Sequence, residues 1–267
     1  MSQIEDQRIV VWCKHDTMLQ AALLDAVHLS IQLEKELCLF GNYQNRKQKN
    51  RLQQRISSYA RVIKKDLPQL EISSLLLKGQ LANLVKELGE NYNTILFCSG
   101  TLFDRELLKA FYRSGFPFFF SKQHHTAGQR FKKVVIPIDF RNSTKDATLW
   151  GSYMGRFNQS DISLYVANDT KAPEQQQRVD RIVAFVQRFY RQFNFGFCFE
   201  TGNKNSWGIH REAMEKTKPD ELLIFTGSRN VSLPDRLIGP FEKRIVKKAT
   251  SAVLLINPQQ ELFVLCN

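Results

Sequence analysis

Short apolar runs alternate along the whole chain with longer stretches in which apolar residues recur every three or four positions. Arg8 to Cys13 reads as a strand, a helical pattern begins at Asp16, and a second strand is expected at Glu36 to Phe40. Leu52, Ile56, Tyr59 and Ile63 then fall at helical spacing. Further strands are expected at Ile72 to Leu77, Thr94 to Cys98 and Phe116 to Phe120, separated by helices near Leu81 to Leu88 and Arg105 to Arg113. Alternation of this kind requires crossover connections, and hence a mostly parallel sheet with helices on both faces and strands buried on two sides.

The same order returns after the polar stretch Ser121 to Arg130, with strands expected at Lys133 to Ile138, Asp161 to Val166, Phe195 to Phe199, Glu221 to Thr226 and Ala252 to Ile256. RIVVWC at Arg8 aligns with KVVIPI at Lys133, and ELCLF at Glu36 with DISLY at Asp161, both at an offset of 125. NTILFCSG at Asn93 aligns with DELLIFTG at Asp220 at an offset of 127. Three segments in register predict a duplication, with one domain at 1–125 and another at 130–267. The bland alternative is that any two parallel α/β domains share such a pattern. The expected fold class is two tandem doubly wound, Rossmann-like α/β domains, each with a mostly parallel five-stranded sheet.

Composition agrees with packed cores: 43% of the 267 residues are hydrophobic, and the twenty Phe fall mainly in the strand-like runs. Five cysteines, Cys13, Cys38, Cys98, Cys198 and Cys266, are widely spaced and mostly within apolar runs, which predicts reduced core residues rather than a disulfide framework or metal knuckle. Neither a leader-like segment nor a run of bilayer-spanning length occurs, so a soluble, cytoplasmic protein is expected. The net charge is +12. Up to Arg130 there are 18 basic and 12 acidic residues, and beyond it 20 and 14, so each half carries +6. Such a charge favours anionic partners without selecting one.

The second copy carries more specific features. KKVVIPIDFRNSTKDATLWGSYM from Lys132 resembles the opening strand, Asp-containing turn and first helix of the universal stress proteins, and DELLIFTGSRN with RLIGPFEKRIVKKATSAVLLI, from Asp220, resembles their final third. The resemblance covers most of residues 132 to 256. It implies an adenine nucleotide α-hydrolase-like fold, a stress-response or regulatory role without catalysis, and ATP or another adenine nucleotide as ligand, with no metal held by the protein itself. Nucleotide-binding members follow the fourth strand with G-x-x-G, nine residues, and G-[ST] at the start of the last helix. Small residues after a strand let backbone N–H groups approach phosphate, and the helix dipole adds to the attraction. Gly227, Ser228 and Gly239 match, Arg229 would contact phosphate or remain solvated, and Asp139 matches the acidic residue near the nucleoside. Asp139 reads equally well as a cap for the following helix, with Asn142 and Ser143 as rival caps. Val166 and Ala167 would line the adenine pocket through their backbone.

The departures predict weak or vestigial binding. Asn230 stands where the second glycine is expected, eight residues instead of nine precede Gly239, and Pro240 replaces Ser or Thr. Proline offers neither an N–H nor a hydroxyl to a phosphate. Each lost charge-assisted bond costs roughly 1.5 to 3 kcal/mol. Asn230 tolerates the left-handed conformation that glycine would supply. The first copy departs further: Lys14 replaces the acidic residue, and Gly100 to Pro117 spans 17 positions against 25 for Gly227 to Ala252. That copy reads as structural or partner-binding.

No HExxH, GxSxG or P-loop sequence occurs, His124 and His125 read as solvated linker residues, and Cys98 lacks an evident paired base, so no enzyme is expected. The strongest charge feature is Arg46, Lys47, Lys49, Arg51, Arg55, Arg61, Lys64 and Lys65, with no acidic residue between them. It reads either as a solvated helix face or as a docking surface for an anionic partner, namely nucleic acid, an acidic protein or a membrane surface. Scarce aromatics within it argue against single-strand stacking. The alternative function is therefore a basic module without nucleotide, docking an anionic macromolecule through residues 46–65. The last strand of each copy is expected at a sheet edge, where universal stress proteins commonly associate, which implies a monomeric pseudo-dimer or a homodimer. The strand-like tail Glu261 to Cys266 would cover one of those edges.

Overall fold

The computed structural model describes residues 7–14, 19–100, 103–122, 130–228 and 240–258. The described residues divide into two compact units, 7–122 and 130–258. The first contains β1 (Arg8–Trp12), α1 (Leu19–Gln32), β2 (Glu36–Tyr43), α2 (Arg46–Asp66), β3 (Ile72–Lys78), α3 (Leu81–Glu90), β4 (Thr94–Ser99), α4 (Arg105–Arg113) and β5 (Phe118–Phe120). The second contains β6 (Lys133–Ile138), α5 (Thr144–Phe157), β7 (Asp161–Val166), α6 (Pro173–Tyr190), β8 (Phe197–Thr201), α7 (Ile209–Lys216), β9 (Leu222–Thr226), α8 (Phe241–Lys248) and β10 (Ala252–Ile256).

Within the first unit the strand order is β3-β2-β1-β4-β5, and within the second it is β8-β7-β6-β9-β10. The two orders are the same, and the pairings within each unit are parallel. In each unit the order reverses beside the first strand, between β1 and β4 or between β6 and β9, and ligand crevices of such folds open there at the carboxyl ends. A backbone detail repeats as well. Glu34 and Gln159 both take left-handed conformations, with φ of 52° and 54°, two residues before β2 and β7. Their separation is the offset of 125 seen in the strand alignment.

The cores follow from the apolar runs. Val10, Leu39 and Phe97 are fully buried in β1, β2 and β4, and Phe97 stacks on Phe118 of β5 with ring centroids 4.7 Å apart. In the second unit Gly151 lets α5 approach Ile136 of β6 and the hydroxyl of Tyr190 on α6, which donates 2.6 Å to the Thr148 carbonyl. Gly155 likewise receives the ring of Phe195.

Two strands begin two residues later than the sequence expectation, and β2 runs three residues beyond it, to Tyr43. The run Phe116 to Phe120 gives only a three-residue strand, because the Phe116 carbonyl accepts the Ser114 hydroxyl and Pro117 has no N–H to offer a ladder. The strand expected at Phe195 to Phe199 begins at Phe197, since Phe195 packs edge-on against Tyr190, 5.0 Å away. Cys13, Cys38 and Cys98 are buried, but Cys198 lies exposed on β8, contrary to the expectation of a core residue. Among the described residues no helix is long and apolar enough to cross a membrane. His124, His125, Cys266 and the tail from Glu261 lie outside the described residues.

Candidate functional site at the carboxyl ends of the second sheet

Asp139 is the first residue beyond β6 and is fully buried. A buried carboxylate is costly unless it is paired and hydrogen-bonded. Its Oδ1 accepts the Arg141 backbone N–H at 2.7 Å and the Thr144 hydroxyl at 2.7 Å, and its Oδ2 accepts Arg141 Nε at 2.6 Å. Asp139 therefore closes the turn from β6 into α5. Ser143 occupies the N-cap position and makes no side-chain cap bond.

Arg141 extends this network across the sheet. Its Nη2 lies 3.0 Å from His210 Nε2 and donates over 3.3 Å to the Thr226 carbonyl at the end of β9. The guanidinium thus bridges the ends of β6 and β9, the pair at which strand order reverses. Burial pushes the His210 pKa down to about 4; Asp139 pulls it up in part, and Arg141 pushes it down. A neutral imidazole whose Nε2 accepts from Arg141 fits that direction, since arginine can only donate.

The surrounding loops repeat one device. Glu212 of α7 accepts the backbone N–H groups of Asn203 and Lys204, both at 3.0 Å through Oε2. Asp169, after β7, accepts the Ser206 N–H at 3.1 Å and also its hydroxyl. Glu242, in the first turn of α8, accepts the Ser228 N–H. Asp139, Asp169, Glu212 and Glu242 are all buried. These backbone donors are engaged by carboxylates of the chain itself.

A cavity of about 290 Å³ remains between these loops, with Arg141, His210, Ser228, Phe241 and Arg244 in its walls. Phe140 and Trp207 form its aromatic lip, with ring centroids 5.7 Å apart and Trp207 75% exposed. The walls carry the cations Arg141 and Arg244 and the carboxylate of Asp139.

Asp139 and Ser228, both expected from sequence, line this cavity. Gly227 lies beside it, its N–H donated to the Ile256 carbonyl at 2.9 Å. The Val166 carbonyl accepts Gly202 N–H at 2.8 Å, and Ala167 N–H donates to Ile138 at 2.9 Å, so these backbone groups are engaged within the fold. Arg229, Asn230 and Gly239 lie outside the described residues. Arg46, Lys47, Lys49, Arg51 and Arg55 belong to α2 of the first unit. Burial, reinforced by Asp25, pushes the Cys98 thiol well above its ordinary pKa. Among the described residues no group of three His, Cys, Asp or Glu side chains is placed to hold a metal.

Sequence reasoning missed Arg141, His210, Asp169, Glu212 and Glu242. Glu212 and Glu242 each left a local signal, an acidic side chain in the first turn of a helix.

No protein-family model matches the chain, and comparison with curated proteins finds no match. Solved structures do match. A universal stress protein from Archaeoglobus fulgidus superposes with a TM-score of 0.64 at 9% identity, over 95% of this chain and 99% of that one. A protein from Pseudomonas aeruginosa described as a putative universal stress protein gives a TM-score of 0.65 at 13% identity, over 96% and 94%. The cytoplasmic domain of a prokaryotic cation chloride cotransporter gives 0.51 at 12% identity, over 96% and 97%. The chain has the fold of the universal stress protein structures, with the two Rossmann-like units in tandem.

Proposed function

We propose that this chain is a non-catalytic stress-response or regulatory protein of the universal stress type, in which adenine-nucleotide binding by the second unit is weak or vestigial. Its output is a conformation or a contact with a protein partner. One observation carries the reading: the Ser228 N–H, which follows the fourth strand of the unit where a phosphate would be met, donates to buried Glu242. A nucleotide phosphate at that position would have to displace a carboxylate and would meet its negative charge. The cavity volume of about 290 Å³ also supports this reading, since pockets that enclose ligands of drug size usually begin at about 300 Å³. Arg141 and Arg244, with Trp207 at the lip, leave room for a loosely held nucleotide whose base stacks near the surface.

Denaturing the purified chain and quantifying released nucleotide by mass spectrometry tests the reading. Well under one equivalent of adenine nucleotide is expected. A full equivalent of ATP retained through purification would contradict it.

A further inference from the structure

The two units differ at a place that their shared register makes comparable. Helices α1 and α5 have equal length and keep the offset of 125. The turns into β3 and β8 keep it too: the Leu37 N–H donates to the Glu71 carbonyl and the Ile162 N–H to the Gly196 carbonyl, each at 2.9 Å. Ser30 is therefore the counterpart of Gly155, Ile31 of Arg156 and Leu70 of Phe195.

In the second unit this place is filled. The Phe195 ring lies so near Gly155 that a Cβ there would come within 2.6 Å of it. Phe193 stacks beside Phe195 with centroids 6.3 Å apart, and the Arg156 guanidinium sits 4.5 Å from the Phe193 centroid. In the first unit the same place is open. A cavity of about 330 Å³ lies at the amino ends of β2 and β3, with Ser30, Ile31 and Leu70 in its walls. Position 30 directs its Cβ as position 155 would, toward the ring site. Ser30 is 1% exposed, and its hydroxyl has no hydrogen-bond partner among the described residues. A buried hydroxyl left so is costly, and a bound polar group would relieve it. Ile31, where the second unit has a cation, is 41% exposed.

The charges around the cavity are unevenly matched. Glu36 is paired with Arg8 at 2.7 Å. Glu34 and Glu71 also line the cavity, and among the described residues neither makes an ion pair; Lys35 lines it with them. The carboxylates do not converge on one point, for no group of three among the described residues is placed to hold a metal ion. An extended cation suits them better.

We propose that this cavity binds a small aromatic ammonium compound, its ring against Ile31 and Leu70 and its ammonium group toward Glu34 and Glu71. A ring with a cation beside it is what the second unit supplies here from its own chain and the first unit lacks. The volume falls within the range of small-ligand pockets. The site lies at the opposite end of the strands from the crevice at their carboxyl ends and does not depend on the reading of the second unit.

Titration of the full chain with phenethylamine, followed by amide NMR spectra, provides the test, with 3-phenylpropionate as the anionic probe of the same ring. Millimolar phenethylamine should shift the signals of Ser30, Ile31 and Leu70 saturably, and 3-phenylpropionate should bind more weakly. S30G/L70F rebuilds the second unit's filled arrangement and should abolish the shifts. E34Q/E71Q should weaken binding about tenfold, and E90Q/E215Q, which removes equal charge from residues outside the cavity, by less than about twofold. Absence of saturable shifts in the wild type, equal or tighter binding of the anion, or unchanged binding in S30G/L70F would overturn the proposal. Should S30G/L70F fail to fold by circular dichroism, E34Q/E71Q decides, since it alters only exposed side chains: unchanged binding there would overturn the proposal equally.

Discussion

The carboxylate of Glu242 accepts the backbone N–H of Ser228, fourteen positions earlier in the chain, and joins the first turn of α8 to the end of β9. Glu242 is fully buried, whereas Ser228 is partly exposed and lines the cavity. Replacing Glu242 with Ala should destabilise the second unit by about 1 kcal/mol, the net worth of a hydrogen bond whose donor is only partly buried. Glu242→Gln keeps an acceptor and should lose less. Urea unfolding followed by circular dichroism measures the difference.

The Asp139, Arg141 and His210 network makes a second expectation. Arg141→Ala leaves the buried Asp139 carboxylate without its cation, and because Arg141 is partly solvated the loss should be moderate, about 2 kcal/mol. Arg141 also pushes the His210 pKa down while Asp139 pulls it up, so the variant should raise the His210 pKa. Titration of the imidazole resonances by NMR checks the direction.

Acid sensitivity follows from the same histidine. Its pKa in the folded chain is pushed down to about 4 from an ordinary value of 6.5. Above about pH 6.5 the ring is neutral in both folded and unfolded chains, and its full contribution to stability is present. As pH falls toward 4 the unfolded chain takes up the proton first, so stability is lost across that window, by about 3 kcal/mol in all. His210→Gln removes the titration and should flatten this part of the stability profile relative to wild type.

Close packing of α5 gives a prediction independent of any ligand. A Cβ at Gly151 would collide with Ile136 and with the hydroxyl of Tyr190, and Tyr190 is itself held by Thr148. Gly151→Ala should cost about 1 to 3 kcal/mol despite the better helix propensity of alanine. A thermal unfolding scan is sufficient to read it.

Much of the fold was legible because parallel strands buried on two faces are written as continuous apolar runs. The runs at Lys133, Asp161 and Ala252 became β6, β7 and β10 with the expected bounds. Aromatic runs misled where rings serve the core from outside a strand: Phe116 and Phe195 pack against neighbours but precede β5 and β8. Of the residues expected at the site, Asp139 directly follows β6 and Ser228 stands two positions beyond β9, and both line the cavity. Arg141 and His210 could not be located from sequence, because their contact spans 69 positions and no local pattern announces it. The carboxylates Asp169 and Glu212 look like ordinary loop and helix-surface residues until the loop from Gly202 to Ser206 folds onto them.

The most direct measurement of the central claim is the affinity of the full chain for ATP by calorimetry. With the Ser228 N–H engaged by Glu242, a dissociation constant on the order of tens of micromolar or weaker is expected. Submicromolar binding by the wild-type chain would contradict the account.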